Sequence, residues 1–167
     1  NGSGVYVAVG NKVILSSVDG MIWYITTFNE QDSIDNDGTT GEDQNWSSVT
    51  FGNGRFVAVA PDSHAYYSDI SSNSSTGLEI WQQYSNFLIS TVNFRSITFG
   101  NNKFVAVSDD GVFNIVSISD GPQQGISGET LSPFFDDVIT SNPYVSISFG
   151  NDQFVVIDHN DVGTSSN

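Results

Sequence analysis

The sequence predicts an all-β repeat protein, and three observations carry that prediction. First, the stretch Phe51-Gly52-Asn53-Gly54-Arg55-Phe56-Val57-Ala58-Val59 returns twice. It reappears as Phe99-Gly100-Asn101-Asn102-Lys103-Phe104-Val105-Ala106-Val107 and as Phe149-Gly150-Asn151-Asp152-Gln153-Phe154-Val155-Val156-Ile157. A worn copy, Gly2-Ser3-Gly4-Val5-Tyr6-Val7-Ala8-Val9, stands at the start, so Tyr6, Phe56, Phe104 and Phe154 follow one another at steps of 50, 48 and 50 residues. A fixed period of this size marks a repeat architecture. Second, β-branched and aromatic residues dominate the apolar set and no stretch sustains a helical period. Third, each copy places Gly-Asn followed by Gly, Asn or Asp between two strand-like runs, and these residue types tolerate the positive φ of tight hairpins.

The incoming runs are 46–51, 94–99 and 144–149. They read as strictly alternating strands, with Trp46, Ser48 and Thr50 on one face and Ser47, Val49 and Phe51 on the other. Ile97 and Ile147 take the place of Val49. The outgoing runs, such as Phe56-Val57-Ala58-Val59, are apolar on both faces and are expected to be covered on both sides. A unit of this kind, repeated every 48–50 residues, is what a β-propeller blade of four antiparallel strands requires.

Taken in order, residues 2–27 supply strands at 6–9, 12–17 and 23–27, the last two joined through an Asp-Gly turn at Asp19-Gly20. A polar loop, 28–45, leads to the next blade, which carries a strand at 65–68, a Ser/Asn-rich insertion at 69–77 and a strand at 78–84. The third blade has a strand at 112–119, a Gly-rich insertion at 120–130 and a strand at 134–139. The fourth begins at Tyr144, and the chain is expected to fray from Gly163. The blade parts are therefore 1–45, 46–93, 94–143 and 144–167, about 3 to 3.5 blades in a single segment. Closed propellers have roughly 4–8 blades. The C-terminal part offers the first two strands of a blade and the N-terminal part begins with the second, so the expectation is an open arc. Further sequence or another subunit would complete it. The start at Asn1, inside a repeat and without an initiator Met, suggests a processed chain or a piece of a longer one.

Net charge is −15, from 19 acidic residues against Lys12, Arg55, Arg95 and Lys103. Such a surface repels phosphate backbones and anionic membranes, so neither nucleic acid nor membrane insertion is expected. No apolar run reaches the roughly 18 residues of a membrane span, and no signal peptide is visible. Cysteine is absent, so disulfides play no part.

Ser17-Val18-Asp19-Gly20-Met21-Ile22-Trp23 resembles a shortened Asp-box (Ser-x-Asp-x-Gly-x-x-Trp) of sialidase-like propellers. The Phe-Gly-Asn-Gly-Arg-Phe-Val-Ala-Val repeat is similar to repeats of sialidase-like and photosystem-assembly-factor-type propellers, and of phage virion and tail-associated proteins. The resemblance covers nearly the whole chain. It implies that the box is a structural turn, on the face opposite the usual ligand site. In later copies Ser68-Asp69 and Ser119-Asp120-Gly121 lack the downstream spacing, because insertions separate them from Trp81 and Phe134.

A sialidase would need a cluster of arginines to clamp a substrate carboxylate. Only Arg55 and Arg95 are present, and Arg55 reads as a solvated turn residue, replaced by Lys103 and Gln153 in the sister copies. The candidate ligand-binding residues are acids in inter-strand turns. Asp62, Asp109, Asp110 and Asp158 stand in equivalent places after the doubly buried strand and are expected to cluster on one face of the arc. Acids in turns commonly serve only as solvated turn formers. Asp35 and Asp37, in Asp35-Asn36-Asp37-Gly38, resemble an acidic calcium turn, but an EF-hand needs Asp at Ser33 and Glu at Gln44. At most a structural calcium would sit there, so no cofactor and no metal site is assigned. His64 and His159 stand singly in turns. Trp46, Phe94 and Tyr144 share one repeat position and are expected to pack between blades, with Trp23 and Trp81 on outer strands.

No catalytic constellation emerges. The expected function is a non-enzymatic structural or recognition module of an extracellular or virion-surface assembly, such as a phage tail, fibre or capsid-decorating protein. Its partners would be protein subunits and host glycan or protein; the virion setting follows from the resemblance alone. The alternatives are part of a sialidase-like, glycan-processing enzyme whose catalytic residues lie outside this chain, or a photosystem-type assembly factor.

Overall fold

The computed structural model describes residues 4–29, 44–61, 64–83, 93–109, 113–116, 128–129, 143–158 and 162–164. The described residues are all-β and form four antiparallel sheets, an incomplete β-propeller. The first sheet is β1 (Tyr6–Gly10), β2 (Val13–Ser17) and β3 (Tyr24–Ile25). The second is β4 (Ser48–Gly52), β5 (Arg55–Ala60), β6 (His64–Asp69) and β7 (Gln82–Gln83). The third is β8 (Phe94–Gly100), β9 (Lys103–Ser108), β10 (Phe113–Val116) and β11 (Gly128–Glu129). The fourth is β12 (Tyr144–Gly150), β13 (Gln153–Asp158) and β14 (Val162–Thr164). By repeat position β1 corresponds to β5, so among the described residues the first sheet has no counterpart of β4 and the fourth none of β7.

The hairpins follow from their turn residues. Gly52 pairs with Arg55, Gly100 with Lys103 and Gly150 with Gln153, leaving two-residue loops. Both loop residues have positive φ in each: Asn53 and Gly54 at 48° and 78°, Asn101 and Asn102 at 46° and 61°, Asn151 and Asp152 at 52° and 59°. That is the type I′ geometry, whose twist matches the flanking strands.

Neighbouring sheets cover one another through the doubly apolar strands. Val57, Val59 and Tyr67 of the second sheet pack on Phe94, Ile97, Phe104 and Ala106 of the third. Val105 and Val107 pack in the same way on Tyr144, Ile147, Phe154 and Val156 of the fourth. Phe56, Ala58 and Ala60 meet Val5, Val7, Val9 and Ile14 of the first. Each large side chain buried in this way stabilises by about 1.5–3 kcal/mol. The strands β4, β8 and β12 stand side by side. There the rings of Phe99 and Phe149 lie over Gly52 and Gly100, leaving no room for a Cβ.

Several expectations are corrected. The strict alternation of the incoming strands does not hold. Phe94 pairs with Ser108 but Ser96 with Val107, a bulge at Arg95, and the same shift falls at Val145. The reason is that Phe94 and Ile97 both enter the core while standing three residues apart, an odd spacing that a regular strand cannot place on one face. Trp46 precedes its strand, buried between Phe28 (5.8 Å, stacked) and Tyr66 (5.3 Å, edge-on). Trp81 is not on an outer strand. It is fully buried between the first two sheets, tied to the preceding blade by Trp81 N–H to Thr27 O at 3.0 Å. The fourth strand of the third sheet, β11, falls inside the presumed Gly-rich insertion, and the strand expected at 134–139 lies outside the described residues. Gly163 and Thr164 pair with Val156 and Val155, so the C-terminal sheet has three strands rather than two. His64 opens β6 rather than a turn.

Candidate functional site

In the second, third and fourth sheets the first strand starts, and the second ends, on one face of the arc. A cleft of about 610 Å³ opens there, lined by Ser47, Arg95, Asp109, Pro143, Tyr144 and Val145. Ser47, Arg95 and Val145 share one repeat position, the residue after the repeated aromatic. A bulge aims Arg95 and Val145 away from the core, and Ser47 stands exposed just ahead of β4. Val145 is 44% exposed, and the Arg95 side chain 51%.

Arg95 reaches Asp109 through both Nε (3.1 Å) and Nη2 (2.6 Å), and both donate to the same oxygen, Oδ2. The second carboxylate oxygen has no bond to another described residue. The Asp109 backbone N–H donates to Asn93 O at 3.1 Å, which holds Asp109 beside the start of β8. Ser47 Oγ is committed, 2.7 Å from Phe94 O and 3.0 Å from Val59 O, so it bridges two sheets. Tyr144 is buried beneath the cleft. Burial first, and then the charge of Asp158, hold its phenol above the ordinary value of 10.0.

Of the sequence-predicted residues, Asp109 lines the cleft, and Asp158 closes β13 opposite Tyr144 as a buried acid. The two are not in equivalent places. Ser108 is the counterpart of Asp158, since each pairs with the repeated aromatic, and Asp109 stands one residue further on. That single step turns Asp158 inward and leaves Asp109 to Arg95. Asp35, Asp37, Asp62 and Asp110 lie outside the described residues. No cluster of three metal-ligating side chains occurs among the described residues.

Arg55 is not a solvated turn residue. Its side chain is 15% exposed, bonds Asp69 through Nε (2.8 Å) and Nη2 (3.0 Å), and stacks over Tyr67 at 4.4 Å. Asp69 is its direct cross-strand partner. The insertion at 69–77 is closed by Ser71 N–H to Gly77 O at 2.9 Å, with Ser72, Asn73 and Ser75 exposed. Gly77, at φ +76°, lies against Val5 and Val18, which flank β1 and β2, too close for a Cβ.

The turn after β2 is held by its own polar groups. Gly20 N–H donates to Ser17 Oγ at 2.8 Å, and Met21 and Ile22 N–H donate to Asp19 Oδ1 at 2.8 and 2.9 Å. The Ile22 and Met21 bonds hold the Asp19 carboxyl below its usual 3.8. Beyond it Met21, Ile22 and Trp23 are exposed.

Sequence reading missed Arg95 and Val145 as site residues. The signal was present: Phe94 with Ile97 and Tyr144 with Ile147 place two core residues three apart, and a bulge there turns the residue after the aromatic outward.

No family model matches the chain, and no curated protein matches it by sequence. Its fold is similar to solved β-propellers. BamB from Moraxella catarrhalis superposes with a TM-score of 0.58 at 8% identity, over 98% of this chain and 41% of that one. YCF48 bound to D1 peptide gives 0.56 at 12%, over 99% and 47%. The computationally designed Ika4 protein gives 0.53 at 15%, over 98% and 91%. The chain thus spans less than half the length of the two natural propellers.

Proposed function

We propose that the chain is a non-enzymatic structural or recognition module of an extracellular or virion-surface assembly. It docks protein subunits through the ends of its arc and holds host glycan or an extended peptide in the Arg95–Asp109 cleft. The observation that carries the reading is the pair of uncovered apolar end faces. On the first sheet Ala8, Leu15 and Ile25 align across three strands, with Tyr6 beside them, and Ile25 is 73% exposed. On the fourth, Ile157 pairs with Val162, and they are 45% and 60% exposed. Inside the arc the matching surfaces pack on each other. Exposed apolar patches of this kind mark interaction sites. The virion setting rests on the resemblance of the repeats. A photosystem-type assembly factor is the second reading, favoured by the likeness to YCF48, a propeller solved with a peptide bound.

Sedimentation velocity at rising protein concentration tests the docking. The expected result is association beyond monomer, abolished by Ile157→Lys and by Ile25→Lys. A monomer at every concentration overturns this reading. For the cleft, binding on a glycan and peptide array, lost in Arg95→Ala, is expected; turnover of any glycan would make the protein an enzyme instead.

A further inference from the structure

In the second, third and fourth sheets the strand that opens the repeat is hydrogen-bonded to the edge that β1 leaves unpaired. Among the described residues the only strand that pairs with β1 is β2, and at its end Gly10 O also accepts from Trp46 N–H at 3.2 Å, so Tyr6 to Val9 are the stretch left open. The covering strand has one pattern: an aromatic, then Val or Ile three residues on, then Phe-Gly. It appears as Trp46, Val49, Phe51, Gly52; as Phe94, Ile97, Phe99, Gly100; and as Tyr144, Ile147, Phe149, Gly150. Its register is also constant. Val49 stands opposite Ala58, Ile97 opposite Ala106 and Ile147 opposite Val156. Phe51 stands opposite Phe56, Phe99 opposite Phe104 and Phe149 opposite Phe154, with ring centroids 4.8, 4.7 and 4.7 Å apart. The counterparts on β1 are Ala8 and Tyr6.

Residues that the covering strand buries in the other sheets are exposed around the first. Tyr6 is 53% exposed, whereas Phe56, Phe104 and Phe154 are 8%, 0% and 1%. Phe51, whose sister rings lie over Gly52 and Gly100 of the preceding sheet, is 46% exposed.

We infer that the edge of β1 is an acceptor for an antiparallel strand of the pattern aromatic-x-x-(Val/Ile)-x-Phe-Gly, supplied by another polypeptide segment of this repeat type. Its aliphatic residue sits opposite Ala8, its phenylalanine opposite Tyr6, and its glycine beneath Phe51. Main-chain bonds supply attachment and the two apolar side chains fix the register, as in strand-addition complexes. The inference stands on the strand pattern and does not depend on the function proposed above.

The test is titration of the isotope-labelled protein with a synthetic peptide of the sequence at 143–150. Saturable binding is expected, with slowed amide exchange confined to β1 and with shifts at Tyr6, Ala8 and Phe51. Replacing the peptide residue that corresponds to Phe149 by Ala is expected to weaken binding at least tenfold. N-methylation of the peptide is expected to abolish binding at one alternate set of residues and to be tolerated at the other, without altering the protein. No saturable binding at millimolar peptide, equal binding of a scrambled peptide, or protection at β14 or the cleft instead of β1 each overturns the inference. Self-association that the peptide does not compete away leaves the docking reading of the end faces standing, so the two fail separately.

Discussion

Gly100→Ala tests the sheet-to-sheet packing most directly, because the repeat carries its own control. At Gly52 and Gly100 a Cβ would fall inside the rings of Phe99 and Phe149; at Gly150 it meets nothing within 4 Å. Carbon atoms in contact sit about 3.5–4 Å apart, so the Phe149 ring must retreat by more than about 1 Å. It cannot do so alone, because it packs against Phe154 at 4.7 Å. Overpacking of this sort costs about 1–3 kcal/mol. Disturbing the ring pair adds up to about 1.5 kcal/mol. The loss of chain entropy in the unfolded state returns only about 0.4–1 kcal/mol. The net expectation is a destabilisation of about 2–3 kcal/mol, or roughly 4–12 °C in Tm for a chain of this size. Gly52→Ala is expected to match it, and Gly150→Ala to change Tm little. Thermal unfolding of the three variants followed by circular dichroism is the assay. A Gly100→Ala protein as stable as wild type, or a Gly150→Ala protein equally damaged, would refute the ring-on-glycine account.

The two arginines should behave differently. Arg55→Lys keeps the charge but loses the fork on Asp69 and the contact with Tyr67, and is expected to cost about 1–3 kcal/mol in denaturant unfolding. Arg95→Ala, at an exposed pair, should stay within about 0.5–1 kcal/mol. Trp81→Ala removes a fully buried ring between the first two sheets and is expected to cost about 3–5 kcal/mol in the same assay. Asp19, with its carboxyl below 3.8, contributes stability that is present above that value and lost as pH falls through the lower folded value. Asp19→Asn should therefore flatten the acid limb of the stability profile below about pH 4. Tyr144 runs the other way: a raised phenol stabilises below pH 10 and the contribution fades as pH climbs through the folded value. Asp158→Asn should lower that titration while leaving it above 10, since burial is the larger cause, as ultraviolet difference titration would show.

The hairpins were legible in the sequence because their determinants are local. Asn53-Gly54 and its sister pairs meet the positive-φ demand of a two-residue turn within the turn itself. The period was legible because each sheet repeats the same contacts with the next, so the same residues recur. Asp109 could be named because turn acids stand out, but its pairing with Arg95 could not. That contact depends on a bulge imposed by the neighbouring sheet, which draws both Phe94 and Ile97 inward. Asp158 looked like its equal and is buried instead, because one residue of register separates the inner from the outer face of a strand. Arg55 likewise read as a turn residue until Asp69, fourteen positions on, was placed across from it. By itself, then, the sequence determined the antiparallel hairpins, their turns and the blade period, since those follow from backbone chemistry and from short-range patterning. The tertiary structure alone decided which turn acids are buried, which residue the bulge turns into the cleft, and which edge and end faces stand uncovered, because each depends on what the adjacent sheet does or does not supply.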